Sequence, residues 1–164
     1  MIYVTVGTMF LDFPRLTLAM DVIARATGER VVVQRGMGKT VPQHCEHFDF
    51  KPREEVLELQ RGARVVVCHA GIGCVSDALH MERPLIVVPR LKQFNEHMND
   101  HQLELARAVA LRGWGRMILD VAELAEACAD PPAAHQGYQP ASAPLIASLR
   151  AFIDEIAQRK GNVC

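Results

Sequence analysis

Four short apolar runs constrain this chain more than any other feature. They are I-Y-V-T-V at residues 2–6, R-V-V-V-Q at 30–34, R-V-V-V-C at 64–68 and P-L-I-V-V at 84–88. Each has the length of a strand and is apolar at consecutive rather than alternate positions, so both of its faces must be covered. Val and Ile dominate them, and branching at Cβ favours the pleated conformation. Between the runs lie stretches of helical period, with Leu16, Met20, Ile23 and Ala24 on one face after Pro14, and Val56, Leu57 and Leu59 after Pro52. Strand and helix alternating at this spacing predict βαβ units and an α/β, Rossmann-like, mostly parallel sheet with helices on both faces.

Punctuation places the remaining elements. Gly36, Gly38 and Pro42 end the second strand, and residues 48–50 are expected as a third. A short helix is predicted around 75–81, a long one from about 97 to 111, a last strand at 115–119 and a helix at 121–128. A Pro- and Ala-rich connection at 130–144 leads to a final helix, about 143–158, with Leu145, Ile146, Leu149, Phe152, Ile153 and Ile156 on one stripe. At 164 residues the chain is expected to be a single domain, 1–164.

Charge and cysteine use exclude several classes. With 18 Lys and Arg against 19 Asp and Glu, the net charge of −1 argues against a nucleic-acid partner. No stretch approaches the roughly 18 consecutive apolar residues of a membrane span, and no basic flank marks a signal peptide, so the expected location is cytoplasmic. The five cysteines (Cys45, Cys68, Cys74, Cys128 and Cys164) are odd in number and contain no C-x-x-C pair, which favours reduced thiols over disulfides or a thiolate zinc site.

In a doubly wound sheet, ligands bind beyond the carboxyl ends of the strands, so the following loops carry the chemistry. Gly7-Thr8 after the first strand combines a tight turn with a hydroxyl, although an ordinary strand-to-helix turn accounts for it equally well. Gly36-Met37-Gly38-Lys39-Thr40 imitates the end of a P-loop. Val33 stands where the first Gly of that motif belongs, and Pro42 opposes the helix that should follow, so the stretch reads instead as a flexible loop near a ligand. The strongest signal is V-V-V-C-H-A-G-I-G-C-V-S-D-A-L at 65–79, where a buried strand delivers Ala70, Gly71, Ile72 and Gly73 to a helix N-terminus able to receive a diphosphate. His69 can add a hydrogen bond or positive charge there, and Asp77, one turn past Gly73, can accept from ribose hydroxyls. Taken singly, His69 is equally a satisfied core histidine and Asp77 a solvated helix carboxylate.

The polar stretch P-R-L-K-Q-F-N-E-H-M-N-D-H-Q at 89–102 is long for a connection and suggests a substrate loop. Asn99, Asp100 and Gln102 suit sugar hydroxyls. Glu96, His97 and His101 invite a metal reading, but no third ligand stands at a recognisable spacing, so none is assigned.

These residues carry a resemblance. V-T-V-G-T at 4–8, C-H-A-G-I-G at 68–73, P-L-I-V-V-P at 84–89 and N-D-H-Q-L-E-L-A at 99–106 are similar to the C-terminal, donor-binding half of glycosyltransferase family 28, and in particular to the small catalytic subunits of two-component lipid-linked transferases of the PssE/EpsE type. The resemblance covers roughly residues 1–110 and implies one GT-B donor lobe holding a UDP-sugar. It implies the diphosphate at His69 to Gly73, the ribose at Asp77, the donor sugar at Asp100 and Gln102, and the uracil near Phe50 and Lys51.

The chemistry expected is metal-independent inverting transfer of a hexose-type sugar to a lipid-linked glycan acceptor in exopolysaccharide or capsule synthesis, with no cofactor. The helix N-terminus and His69 stabilise the leaving UDP, and no D-x-D pair offers ligands for a divalent cation. Glu96 and His97 are the local candidates for the general base, which stands equally well on a partner. A GT-B enzyme needs two lobes, so a membrane-anchored partner subunit supplying the acceptor lobe is expected to hold this chain at the inner face of the membrane. A homo-oligomer of the isolated chain stays open. The competing class is a non-catalytic nucleotide-binding regulatory module; a dinucleotide-dependent oxidoreductase is disfavoured because G-x-G-x-x-G is absent after the first strand.

Overall fold

Every strand pairing in residues 1–139, the part of the chain that this computed structural model describes, is parallel. In chain order the elements are β1 (Ile2–Thr5), α1 (Pro14–Thr27), β2 (Val31–Gln34), β3 (Glu46–Phe48), α2 (Arg53–Arg61), β4 (Val65–Cys68), α3 (Ile72–His80), β5 (Leu85–Val87), α4 (His101–Leu111), β6 (Arg116–Met117) and α5 (Leu124–Ala129). Single 3-10 turns at Lys92–Phe94 and Val121–Glu123 complete them. The six strands lie in the order β3-β2-β1-β4-β5-β6, so the direction of winding reverses between β1 and β4.

The apolar runs bury both faces, as their composition requires. Ile2, Val4, Val65, Val67, Ile86 and Val88 pack against Leu16, Met20 and Ile23 of α1 and Leu124 and Ala127 of α5. Tyr3, Val66, Cys68, Leu85 and Val87 point the other way, onto Val75 and Leu79 of α3, Ala106 and Val109 of α4, and the half-buried Val56 and Leu59 of α2. Each fully buried aliphatic side chain contributes roughly 1.5–3 kcal/mol relative to exposure. Helix α1 starts on Pro14, whose missing N–H costs nothing at that position. It stops at Gly28, whose left-handed φ of 67° lets its N–H bond Ala24 O.

Several boundaries differ from expectation. The third strand is Glu46–Phe48 rather than 48–50. It is a polar edge strand whose position is set by pairing Val32 with Glu46 and Gln34 with Phe48, which no hydrophobic pattern announces. Helix α4 begins at His101 instead of about 97, because side-chain bonds from Asn99 and Asp100 hold the preceding residues in a turn. Helix α3 starts earlier than expected, at Ile72, and the strand foreseen at 115–119 pairs only through Arg116 and Met117. The predicted final helix and its apolar stripe lie outside the described residues, as does Cys164.

Candidate functional site

The reversal of strand order opens a cleft of about 430 Å³ above the carboxyl ends of β1, β2 and β4, walled by α2 and α3. Gly7 and Thr8 line it from β1, Phe50 and Lys51 from the segment before α2, and His69, Gly71, Gly73 and Asp77 from β4 and α3. Sequence reasoning thus brought most of its nucleotide-site candidates to one place. A second open hollow of about 540 Å³ lies at the sheet edge, where the Arg30–Glu46 and Lys51–Glu55 ion pairs already satisfy much of its charge.

Ala70 and Gly71 shape the end of the cleft beside α3. Ala70 is 1% exposed and takes a left-handed φ of 59°, turning the chain sharply after β4, and Gly71 is extended as it enters α3. The first bond across this turn runs from Val75 N–H to Gly71 O, and no side chain caps the helix. The N–H groups of Ile72, Gly73 and Cys74 therefore stand at a positive helix end without helical partners. Ile72 offers only its backbone, since its side chain is exposed and does not line the cleft.

His69 is wedged between two glycines. A Cβ on Gly7 or on Gly71 would overlap the imidazole at Nε2, so both positions are kept bare by the ring. Its Nδ1 lies 3.3 Å from Thr5 O, which only a protonated Nδ1 can satisfy, and Nε2 is left with a lone pair. Burial, reinforced by the nearby charges of Arg90 and His97, pushes the ring down to about 4. Of the hydrogen bond or positive charge expected from His69, the charge is therefore opposed by the burial of the ring.

Asp77 is not a solvated helix carboxylate. Both its oxygens accept from the Arg53 guanidinium, at 2.8 and 3.1 Å, and its side chain is largely buried against the cleft while Arg53 lies in solvent. Phe50 is 55% exposed and presents an open ring at the rim, beside Lys51, whose ammonium bonds Glu55 and lies over Phe48. The P-loop-like stretch is no free loop, since the Thr40 N–H and hydroxyl both donate to Asp12.

The loop at 90–102 behaves differently from expectation. Arg90, 0% exposed, donates to the carbonyls of Val6, Leu11, Asp12 and Glu96 and stacks over Phe13. The Glu96 carboxylate is likewise buried, accepting from Arg15 at 2.9 and 3.0 Å and from Leu91 N–H at 3.1 Å. A base needs an oxygen facing its substrate, so the role expected for Glu96 is corrected to that of a structural anchor. His97 accepts from Asn99 N–H through Nδ1, which puts its proton on Nε2 and makes that nitrogen a donor. Asn99 accepts from the N–H and ring of His101, Asp100 from Lys92 N–H, and the buried Gln102 from Arg90 N–H. None of Glu96, His97, Asn99, Asp100 or Gln102 lines this cleft. Among the described residues no three His, Cys, Asp or Glu side chains gather where they could hold a metal ion.

Sequence reasoning missed the floor of the cleft, which Thr5, Gln34, Val56, Gln60 and Cys74 help to form. A relay runs through it: Gly7 N–H donates to the Thr5 hydroxyl, and the hydroxyls of Thr5 and Tyr3 donate to Gln34 Oε1 at 2.9 and 3.1 Å. The available signal was a polar residue, Gln34, closing an otherwise apolar run. Gln60 looked like one more polar residue on a charged helix.

Comparisons with known proteins agree with this architecture. The family model for the glycosyltransferase family 28 C-terminal domain matches residues 1–155. The chain is 32% identical over 121 residues to the human UDP-N-acetylglucosamine transferase subunit ALG13, and 32% over 120 residues to the mouse protein. These alignments cover 68% of this chain and 10% of each relative, so the chain spans only a small part of their length. Among solved structures, the calicheamicin glycosyltransferase CalG4 superposes with a TM-score of 0.61 at 20% identity, over 80% of this chain and 34% of that one. The UDP-GlcNAc 2-epimerase of Neisseria meningitidis gives 0.55 at 11%, over 78% and 34%. At such identities the structures speak for a shared fold, a Rossmann-like lobe of the GT-B kind. With the family model spanning nearly all of it, the chain belongs to the glycosyltransferase family 28 C-terminal domain family.

Proposed function

We propose that this chain is the donor-binding, catalytic subunit of a metal-independent inverting glycosyltransferase. It moves a hexose-type sugar from a UDP-sugar to a lipid-linked glycan acceptor, as exopolysaccharide or capsule synthesis requires. One observation carries the reading: the open N–H groups of α3, the bare Nε2 of His69 and the Asp77 carboxylate converge on one cleft at the switch point. The name of the ALG13 relatives, a UDP-N-acetylglucosamine transferase subunit, supports a UDP-linked donor and a second subunit here.

The chemistry follows from these groups. The acceptor oxygen attacks the anomeric carbon from the face opposite UDP, the bond from that carbon to the β-phosphate oxygen breaks, and the acceptor proton passes to a base. Negative charge grows on the departing diphosphate, where the α3 N–H groups are already oriented to receive it. A phosphate oxygen facing the lone pair of Nε2 is repelled unless that nitrogen gains a proton, so binding draws a proton onto His69 and creates the cation that the free site lacks. With Glu96 engaged by Arg15, the general base comes from the lobe that carries the acceptor. That lobe belongs to a membrane-anchored partner, which keeps this chain at the cytoplasmic membrane surface; no helix of the described residues is long and apolar enough to cross a membrane.

Titration calorimetry with UDP, with and without EDTA, tests the donor site. Equal affinity in both supports the reading, whereas absent binding, or binding abolished by the chelator, sinks it. Because neither Glu96 nor His97 lines the cleft, a non-catalytic nucleotide-binding module is the second reading. UDP-sugar turnover onto a lipid-linked acceptor by the co-expressed pair of subunits separates the two.

A further inference from the structure

Arg90 is wholly buried but does not line the cleft, and one edge of its guanidinium is given to a single acceptor. Its Nε and one Nη donate to Val6 O at 3.3 and 2.7 Å, while the other Nη reaches the carbonyls of Leu11, Asp12 and Glu96. Val6 O belongs to the peptide that enters Gly7. The N–H of that same peptide donates to the Thr5 hydroxyl at 3.2 Å, so both of its polar atoms are engaged.

Gly7 needs this restraint. Its φ of 81° lies in a region that glycine enters and leaves at little cost, so the Val6–Gly7 peptide has little of its own to hold it. The peptide is also tightly enclosed. A Cβ on Gly36 would strike Gly7 O, and one on Gly7 would strike the His69 ring, which Gly71 closes from a second side. A tilt of this peptide therefore moves the wall against which the imidazole rests.

We propose that Arg90 is a positioning residue of the donor cleft. Its forked grip on Val6 O fixes the Val6–Gly7 peptide, which keeps the His69 ring seated with Nδ1 on Thr5 O and Nε2 free for the donor. This inference rests on the proposed nucleotide site and assigns a role there to a side chain that never reaches the ligand. Because Arg90 acts through the peptide alone, exchange for lysine is the informative one: a single ammonium cannot make the forked contact on Val6 O and still reach the carbonyls beyond it.

The test titrates UDP calorimetrically into the full-length wild type, Arg90→Lys and Glu96→Gln, each well below its melting temperature. The ring nitrogens of His69 are followed by NMR at neutral pH. Glu96→Gln is the control, since it loosens the same loop from Arg15 and leaves every bond of the Val6–Gly7 peptide in place. Arg90→Lys is expected to weaken UDP binding by at least about fivefold and to turn the single Nδ1–H form of the ring into a mixture with the Nε2–H form. Glu96→Gln is expected to lose less than that and to keep the Nδ1–H form. A smaller loss in Arg90→Lys, an equal loss in both variants, or an unchanged ring in Arg90→Lys overturns the inference while the nucleotide site stands. Folded wild type that binds no UDP removes the nucleotide site and the inference with it. Should Arg90→Lys not fold, the Arg90 Nε–H resonance of the wild type decides: it is expected to move on adding UDP, and an unmoved resonance overturns the proposal.

Discussion

The loops that follow β4 and β5 leave neighbouring strands at the same end of the sheet and are both rich in hydrogen-bonding groups, yet they have opposite designs. After β4, the N–H groups at the start of α3 and the Nε2 of His69 face a cavity with nothing in the fold to bond them. After β5, Arg90, Glu96 and Gln102 turn inward and are bonded by backbone groups of their own loop or of the β1 loop. The difference teaches that polarity alone does not mark a ligand site. Unused hydrogen-bonding capacity beside a cavity does, because a folded chain tolerates it only where water or a ligand can complete it. The β5 loop instead braces the β1 loop against the sheet, and so keeps Gly7 beside His69.

The sharpest way to break this comparison is Arg90→Met. It leaves four carbonyl oxygens without their shared donor and Glu96 with less compensating charge, and it should cost about 3–5 kcal/mol in urea unfolding. A loss below about 1 kcal/mol would return the 90–102 loop to the class of solvated substrate loops.

Next in size is a pH effect centred on His69. Its ring titrates near 4 in the folded chain against an ordinary value of 6.5. Between those values the unfolded chain holds the extra proton, so stability is fully present above pH 6.5 and is lost as pH falls toward 4. The full effect is roughly 3 kcal/mol, and His69→Gln should flatten this part of the profile. Binding of a UDP-sugar, whose diphosphate does not titrate in this range, should show the opposite slope, tightening as pH falls because the complex takes up a proton. A slope unchanged in His69→Gln places the proton elsewhere.

Asp77→Ala should weaken UDP binding by about 1–3 kcal/mol in calorimetry, with little change in unfolding, because its partner Arg53 lies in solvent. Equal UDP affinity would remove Asp77 from the site. The smallest effect belongs to Gln102→Ala, which strips the acceptor from the buried Arg90 N–H and should cost about 1 kcal/mol of stability while leaving UDP affinity unchanged. Under the proposed function, a drop in UDP-sugar turnover larger than that stability loss explains would show that Gln102 also touches the donor sugar.

Much of the lining of the candidate cleft was legible before the fold was known, and for a local reason. Ala70, Gly71 and Gly73 follow a buried strand directly, so their role at a helix N-terminus depends on neighbours within a few residues. The protonation of His69 was not legible, since it depends on burial by the folded chain, on the charge of Arg90 and on Thr5 O, 64 positions away. The burial of Glu96 and Gln102 was not legible for the same reason: their partners, Arg15 and the Arg90 N–H, decide which way they face, and a polar letter in a polar loop looks solvated until those partners are placed.

Consecutive β-branched apolar residues determined by themselves that this chain builds a parallel sheet covered on both faces, because no other packing removes both sides of such strands from water. The punctuation by Pro14, Gly28 and Pro52 determined where helices start and stop, because the backbone geometry of those residues is intrinsic. Only the tertiary structure decided strand order, the edge pairing of the polar β3 and the switch point between β1 and β4. Those depend on contacts between segments far apart in the chain. It also decided which polar side chains are used up by the fold and which, like the imidazole of His69, keep a free nitrogen beside the cleft. Hydrogen-bond satisfaction is a property of a three-dimensional neighbourhood that no stretch of sequence contains.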